Sequence, residues 1–373
     1  MNIQTIKTPA LLLDVGRVRN NARRMTELAH RNGVRLRPHV KTHKCIEVAR
    51  IQTEGHNGAV TVSTLAEARA FAKHGFTDIT YAVPVERGKF DEAIEILCSG
   101  VKLNLLTDDL ATAKLLDEAA GKAGVVFDVF VKIDSGYHRV GVEPHTPEAV
   151  EIPRTLSDAK NLNFAGILTH AGHSYNVHSK EEIIEIARHE RDSMAELADR
   201  LRSMSIEVPA VSIGSTPSIT HVDHLNGIDE IRPGNYILFD AFQATLGSCG
   251  FDDTALTVLT AVTHRDAARS KLVVDAGAIA LSKDRGPVDL DPSCGYGRVL
   301  DLDGRETGMR VTSLSQEHGQ IEAVDDAVFG RIKVGDRLRV LANHSCLTAA
   351  QHEYFNVIDD GKIVDRWEIY RGW

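Results

Sequence analysis

Short apolar runs and longer amphipathic stretches alternate through the first two thirds of the chain. Residues 59–63, 78–83, 101–106, 125–133, 164–169, 208–213 and 230–239 are apolar runs, the composition of strands covered on both faces, and residues 35–41 continue the apolar alternation of Val34 and Leu36. Between most of them, residues 45–52, 65–74, 89–97, 109–123 and 180–204 carry apolar side chains three and four apart, which predicts helices. Asp108 or Asp109 supplies an N-cap, and Gly75 stands where a helix end favours a left-handed residue. Ahead of these, an apolar run at 10–15 leads into residues 18–32, with Val18, Ala22, Met25, Leu28 and Ala29 at near-helical spacing. Counted from Arg35, eight strands separated mostly by helices predict an α/β fold, a (β/α)8 TIM-type barrel. An open dinucleotide-binding sheet is disfavoured because no Gly-x-Gly-x-x-Gly follows the first strand. After about residue 250 the pattern changes to short runs at 256–262, 271–274, 298–300, 307–312, 337–341 and 362–369, separated by Asp, Gly and Pro turns. That spacing predicts a C-terminal all-β domain. The expected division is a barrel over 17–248 and a β domain over 249–373.

Composition narrows the partners. With 373 residues and 43% apolar content the chain can build two cores. Its 52 acidic against 43 basic side chains give a formal net charge of −9, which argues against nucleic acid or an anionic membrane as partner. A small-molecule ligand fits better. Five scattered cysteines, Cys45, Cys98, Cys249, Cys294 and Cys346, suit a reducing compartment. No apolar run approaches the roughly 18 residues that span a bilayer and no signal segment opens the chain, so the expectation is a cytoplasmic protein.

The densest chemistry lies in Arg37-Pro38-His39-Val40-Lys41-Thr42-His43-Lys44, at the end of the first barrel strand. The C-terminal ends of barrel strands are where reactive groups are placed. There Lys41, desolvated and near cations such as Arg37, could become a nucleophile able to form a Schiff base with an aldehyde. Across the mouth, Gly214-Ser215-Thr216 follows the seventh strand and Gly234-Asn235-Tyr236 lies in the eighth, the two places where TIM barrels commonly hold phosphate. A lysine opposite a phosphate cradle describes a site for pyridoxal 5′-phosphate (PLP), an aldehyde carrying a phosphate.

The Arg37 to Lys44 motif resembles the cofactor-lysine motif of the fold-type III PLP enzymes that include D-threonine aldolase, eukaryotic-type D-serine dehydratase and the 3-hydroxy-D-aspartate lyases. The resemblance runs from Thr8-Pro9-Ala10 to Trp367-Glu368-Ile369. It implies an alanine-racemase-like barrel, with the strand at 8–15 joined to the β domain. It also implies that Lys41 carries the cofactor, with His39 beside it and Lys44 in support. Arg139, in Asp134-Ser135-Gly136-Tyr137-His138-Arg139, would approach the cofactor phenolate, and Arg232 the pyridine nitrogen. Thr169, His170 and Tyr175 would either face the cofactor or serve packing and turns. His344 and Cys346, one residue apart on an expected strand, would project to the same face. The spacing alone reads either as a buried pair or as two metal ligands. The resemblance makes them a divalent-metal site whose second ligand is Asp in typical D-threonine aldolases and Cys in D-serine dehydratases. Thiolate with imidazole favours zinc, while manganese or magnesium suits a carboxylate better.

The implied substrate is a D-3-hydroxy-α-amino acid. Dehydration would yield a 2-oxo acid and ammonia, with Lys41 taking the Cα proton. Retro-aldol cleavage would yield glycine and an aldehyde, with His170 as base. Cys346 favours the dehydratase. A racemase would need a second base, and no racemase motif surrounds Tyr296 or Tyr354; a PLP carrier would lack the β domain. Relatives suggest a homodimer. Ser315-Gln316-Glu317-His318-Gly319 could line the substrate side or form a solvated turn, and Arg285 could meet a substrate carboxylate or sit in a turn.

Overall fold

The structure, a computed structural model, describes residues 3–322 and 326–373. The chain divides into two compact units, one of Arg24–Lys41, Gln52–Gly234 and Tyr370–Trp373, the other of Met1–Arg23, Thr42–Ile51 and Asn235–Ile369. Strand β1 (Ala10–Asp14) belongs to the second unit and runs into helix α1 (Val15–Arg31).

The first unit is a barrel of eight parallel strands: β2 (Arg35–Leu36), β3 (Val60–Val62), β4 (Asp78–Pro84), β5 (Lys102–Thr107), β6 (Phe127–Lys132), β7 (Leu162–Leu168), β8 (Val211–Ile213) and β9 (Glu230–Ile231). They pair in the order β2-β9-β8-β7-β6-β5-β4-β3, and a parallel bridge from His39 to Thr61 closes the circle. The predicted (β/α)8 architecture is therefore found. The helices that follow the strands are α2 (Ile46–Thr53), α3 (Leu65–Lys73), α4 (Phe90–Cys98), α5 (Leu110–Ala123), α6 (Glu148–Asp158), α7 (Lys180–Ser203) and α8 (Thr216–His221). Their starts are set by side chains that satisfy open N–H groups. Asp109 caps α5 through Thr112 N at 2.6 Å, and Ser179 caps α7 through Glu182 N. Gly75, at φ +94°, follows α3 as expected.

Inside the barrel, Leu106, Phe130, Leu168 and Ala210 form an apolar layer. The rest of the interior is unusually polar. Arg37, Thr80, Asn104, Lys132, Ser212, Glu230 and Arg232 are all buried.

The second unit is antiparallel apart from one pairing. Strands β10 (Leu256–Asp266), β11 (Lys271–Val274), β12 (Gly297–Leu300), β13 (Glu306–Leu314), β14 (Gly319–Glu322) and β15 (Arg337–Ala342) close on themselves, because β11 pairs with both β14 and β10. β1 adds to β10 antiparallel and carries β16 (Tyr354–Asp359) parallel on its other side, with β17 (Lys362–Glu368) at the edge. Leu11, Leu12 and Leu13 of β1 are fully covered.

Several sequence expectations change. The first strand stops at Leu36 instead of Lys41, because Pro38 donates no ladder hydrogen bond and residues 40–42 wind into a 3-10 turn. The eighth, predicted over 230–239, keeps only Glu230–Ile231; Pro233 breaks it, and Asn235–Ile237 form another 3-10 turn. Helix α6 was not predicted, since Pro153 interrupts its pattern. Strands β14 and β16 were also missed. β14 is only four residues long and opens on a glycine, and β16 carries buried Asn356 among its apolar residues. Finally, His344 and Cys346 do not share a strand face: β15 ends at Ala342, His344 stands at the N-cap of a short helix, and Cys346 lies in its first turn.

Candidate active site

In the barrel unit, Lys41 sits in the 3-10 turn that follows β2, and its backbone N–H points to Nδ1 of His39 at 3.4 Å. Nε2 of His39 then faces Ser63 Oγ, also at 3.4 Å. Burial pushes the His39 imidazole well below its ordinary value, and the charges of Lys41, Arg232 and His170 push it further. His170, just past β7, behaves the same way: burial first, then Lys41, Lys132 and Arg139, hold it well below. Between them Lys41, Arg232, Lys132 and Arg139 disfavour the charged form of one or both histidines. Nδ1 of His170 lies 3.3 Å from the carbonyl of Gly214. A carbonyl only accepts, so Nδ1 carries the proton and Nε2 is left as the basic nitrogen.

Arg139 is exposed on the loop after β6, with its guanidinium 4.8 Å from the ring centroid of Tyr137. Tyr137 also meets His170 edge-on at 6.2 Å and stacks on His173. Asp134 shapes this loop: Oδ1 accepts the N–H groups of Gly136, Tyr137 and His138 at 2.9–3.0 Å. Gly172 must be glycine there, because a Cβ would lie 2.3 Å from the Tyr137 ring. Arg232 is buried, donating to Ser212 Oγ and to the carbonyl of Thr169. That carbonyl bond and a hydroxyl donated to Ile133 give Thr169 a packing role. Tyr175 closes the 3-10 turn after β7 and is half-buried.

Gly214 has φ +121°, and a Cβ on it would come within 2.8 Å of Ile219. Only glycine suits this position. Ser215 and Thr216 follow, both buried, with Ser215 bonded to Ser218 and, at 2.9 Å, to Ser174. The N–H groups of Gly214 and Ser215 turn inward to Glu190 and Ser218. Gly234 ends this unit's segment and is buried. The Gly214 carbonyl meets His170, whose imidazole feels Lys41, Lys132 and Arg139, and that cationic surrounding fits an anionic, phosphate-bearing cofactor.

In the β unit, His344 Nδ1 meets Asp284 Oδ2 at 2.6 Å. Cys346 Sγ lies 3.4 Å from Thr42 Oγ1 and 3.6 Å from Asn235 Nδ2. Asn235 also donates to Asp240 at 2.7 Å, and Tyr236 beside it is fully buried. Burial opposes charge on both His344 and Cys346. Their mutual attraction outweighs it, raising the imidazole well above and lowering the thiol below their ordinary values. A thiolate and an imidazole oriented by a carboxylate are the donor set of a soft divalent metal. Among the described residues no group of three or more His, Cys, Asp and Glu is arranged to hold a metal.

Three buried or oriented residues escaped the sequence reading. Lys132, at the end of β6, is buried and lowered to about 7 by burial, Arg232 and Arg139, against Glu190 and Asp134. Glu190 is fully buried on α7, where Oε1 accepts Ala171 N at 2.9 Å and Gly214 N at 3.2 Å. Its signal was present, since it occupies the apolar stripe Ile183, Ala187, Glu190, Met194, Leu197. Asp284, beside the turn expected at Arg285, orients His344. Conversely, Glu317 and His318 are exposed, and Arg285 donates to Pro292 O.

A PLP-type barrel joined to a closed antiparallel domain defines an alanine-racemase-like fold, and family comparison agrees. Residues 13–241 match the family model described as "Alanine racemase, N-terminal domain", and residues 255–358 match "Putative serine dehydratase domain". The chain belongs to this fold-type III PLP-dependent family of dehydratases and aldolases, and it is a lyase. It is 38% identical to D-threo-3-hydroxyaspartate dehydratase of Delftia sp. (strain HT23), over 99% of this chain and 98% of the relative. The solved structure of that dehydratase superposes with a TM-score of 0.96 at 37% identity, covering 100% of both chains. A variant of it with a cysteine replaced by alanine has been solved in a metal-free form. D-serine dehydratase of Dictyostelium discoideum is 35% identical, over 100% of this chain and 98% of the relative. 3-hydroxy-D-aspartate aldolase of Paracoccus denitrificans (strain Pd 1222) is 30% identical, over 99% and 93%.

Proposed function

We propose that the chain dehydrates D-3-hydroxy-α-amino acids, D-serine or D-3-hydroxyaspartate, to a 2-oxo acid and ammonia, using PLP on Lys41 and a zinc ion on His344 and Cys346. The observation that carries this reading is the 3.4 Å contact of the Cys346 thiolate with the hydroxyl of Thr42, the residue that follows Lys41 in the chain. PLP supplies the electron sink that acidifies Cα, and the metal supplies Lewis acidity for a leaving hydroxyl. Lys41 takes the Cα proton. Arg139 would meet the phenolate and Arg232 the ring nitrogen, and His39, Tyr175, Gly214, Ser215, Thr216, Gly234, Asn235 and Tyr236 would hold the rest of the cofactor, the last six its phosphate. In dehydration the hydroxyl would leave on the metal with no proton passed to His170, whose basic nitrogen is Nε2. That same nitrogen supports the second reading, retro-aldol cleavage, because it could deprotonate the hydroxyl; the aldolase relative points the same way.

For the chain's organisation, the same reading takes 17–248 as the cofactor domain and 249–373 with the strand at 8–15 as the metal domain, supported by family matches that end at 241 and begin at 255. Five free thiols support a reducing, cytoplasmic setting, and no helix among the described residues is long and apolar enough to cross a membrane. Pairing as a homodimer enters the same reading from the family resemblance. The deciding experiment incubates the PLP-loaded, zinc-loaded enzyme with D-serine, D-3-hydroxyaspartate and D-threonine. Oxo acid with ammonia is expected, and glycine with aldehyde would replace the dehydratase by the aldolase.

A further inference from the structure

Arg232 is the upper end of a continuous donor–acceptor ladder through the barrel interior. Its Nη1 donates to Ser212 Oγ, and Ser212 donates to Glu230 Oε1 at 2.7 Å. Arg37 Nε donates to the other oxygen of Glu230 at 2.8 Å. Arg37 then clasps Asp78 with Nη1 and Nη2 at 2.6 and 3.2 Å, and Asn104 donates to Asp78 at 3.1 Å. Arg232, Ser212, Glu230 and Arg37 are each no more than 5% exposed. The lower end is hydrated: the Asp78 side chain is 27% exposed. Near it a cavity of about 290 Å³ is lined by Arg37, Lys102, Asn104, Asp128 and Asn163.

The directions of these bonds are forced. Arg232 offers only donors, so the single Ser212 proton must go to Glu230. Arg37 Nε also offers only a proton. Glu230 therefore has to accept on both oxygens, which a carboxylate does and an amide does not. Once Ser212 is oriented, Arg232 Nη1 has a fixed acceptor, and the carbonyl of Thr169 fixes Nη2.

We propose that Glu230, acting through Ser212, is a positioning residue that sets the orientation of Arg232 and thereby the electronic character of the bound cofactor. The proposal rests on the reading of Arg232 as the partner of the cofactor ring nitrogen. A purely structural ladder would lower stability when cut but leave the cofactor's spectrum alone.

The test uses full-length, PLP-loaded enzyme carrying Ser212→Ala, Ser212→Thr, Glu230→Gln or Arg232→Lys. Ser212→Ala leaves the Arg37 pairs with Glu230 and Asp78 whole. Its expected effects are a shifted visible absorption maximum of the bound cofactor and a kcat lowered roughly tenfold, the worth of about one hydrogen bond, with KM little changed. Ser212→Thr restores both. Glu230→Gln shifts the spectrum in the same direction, and should it fail to fold, the Ser212 pair decides. A parental spectrum and kcat in Ser212→Ala, with only the melting temperature lowered, overturns the ladder. If Arg232→Lys also keeps the parental spectrum, the assignment of Arg232 falls with it. If Arg232→Lys alone changes the spectrum, the assignment stands and only the ladder fails.

Discussion

His344 and Cys346 illustrate how two costly charges become cheap together. Each is disfavoured by burial, and each is held in its charged form by the other, with Asp284 fixing the imidazole through Nδ1. A metal would replace the shared proton and take Nε2. Outer partners of ligating histidines typically contribute about 10–100-fold to metal affinity. Asp284→Asn is accordingly expected to weaken zinc binding by about that factor in a competitive chelator titration, and unchanged affinity would remove Asp284 from the site. His170 makes a second prediction. Its imidazole is held well below the ordinary histidine value of about 6.5, so the neutral base persists at acid pH. The acid limb of kcat/KM should lie below pH 6.5. Lys132→Met removes one of the charges that hold His170 down, so the limb should move upward; a limb that stays in place would exclude His170 as the titrating group.

At the scale of elements, the order of strands and helices was legible because apolar runs and amphipathic stretches differ in period, and Asp109 marks a helix start by its side chain and Gly75 a helix end by its positive φ. What was not legible follows from tertiary context. Residues 230–239 are apolar enough for a strand and 35–41 continue the alternation of Val34 and Leu36, yet Pro233 and Pro38 are each followed by a 3-10 segment that carries site residues. The His344–Cys346 spacing suggested a strand face, whereas a helix start brings the two side chains together. Lys132 and Glu190 occupy interior positions where pattern alone expects an apolar residue. The turn at Gly214 is the element most exposed to a single change. Gly214→Ala combines φ +121° with a Cβ 2.8 Å from Ile219, a strain of about 1–3 kcal/mol. It should weaken PLP affinity about tenfold or more by fluorescence titration while the barrel still melts cooperatively. In the other unit, Leu12 is fully buried on β1 between β10 and β16. Leu12→Ala should cost about 2–5 kcal/mol in chemical denaturation.

Across the whole molecule these local charges set how stability responds to pH. His39 and His170 are neutral when folded, with values depressed by burial and by neighbouring cations. Their contribution is fully present above the unfolded value of about 6.5 and is lost as pH falls from there towards the folded values. His344 has the opposite sign in metal-free protein: its contribution is present below about 6.5 and lost as pH rises through its raised folded value. Metal-free protein is therefore squeezed from both sides and should show a stability maximum near neutral pH. Zinc binding displaces the proton on the pair, so the alkaline loss disappears in the metal-loaded protein while the acid loss remains. Thermal melts of both forms across pH 5 to 9, at fixed zinc and PLP concentrations, check this. Parallel alkaline limbs in the two forms would mean that His344 does not exchange its proton for a metal.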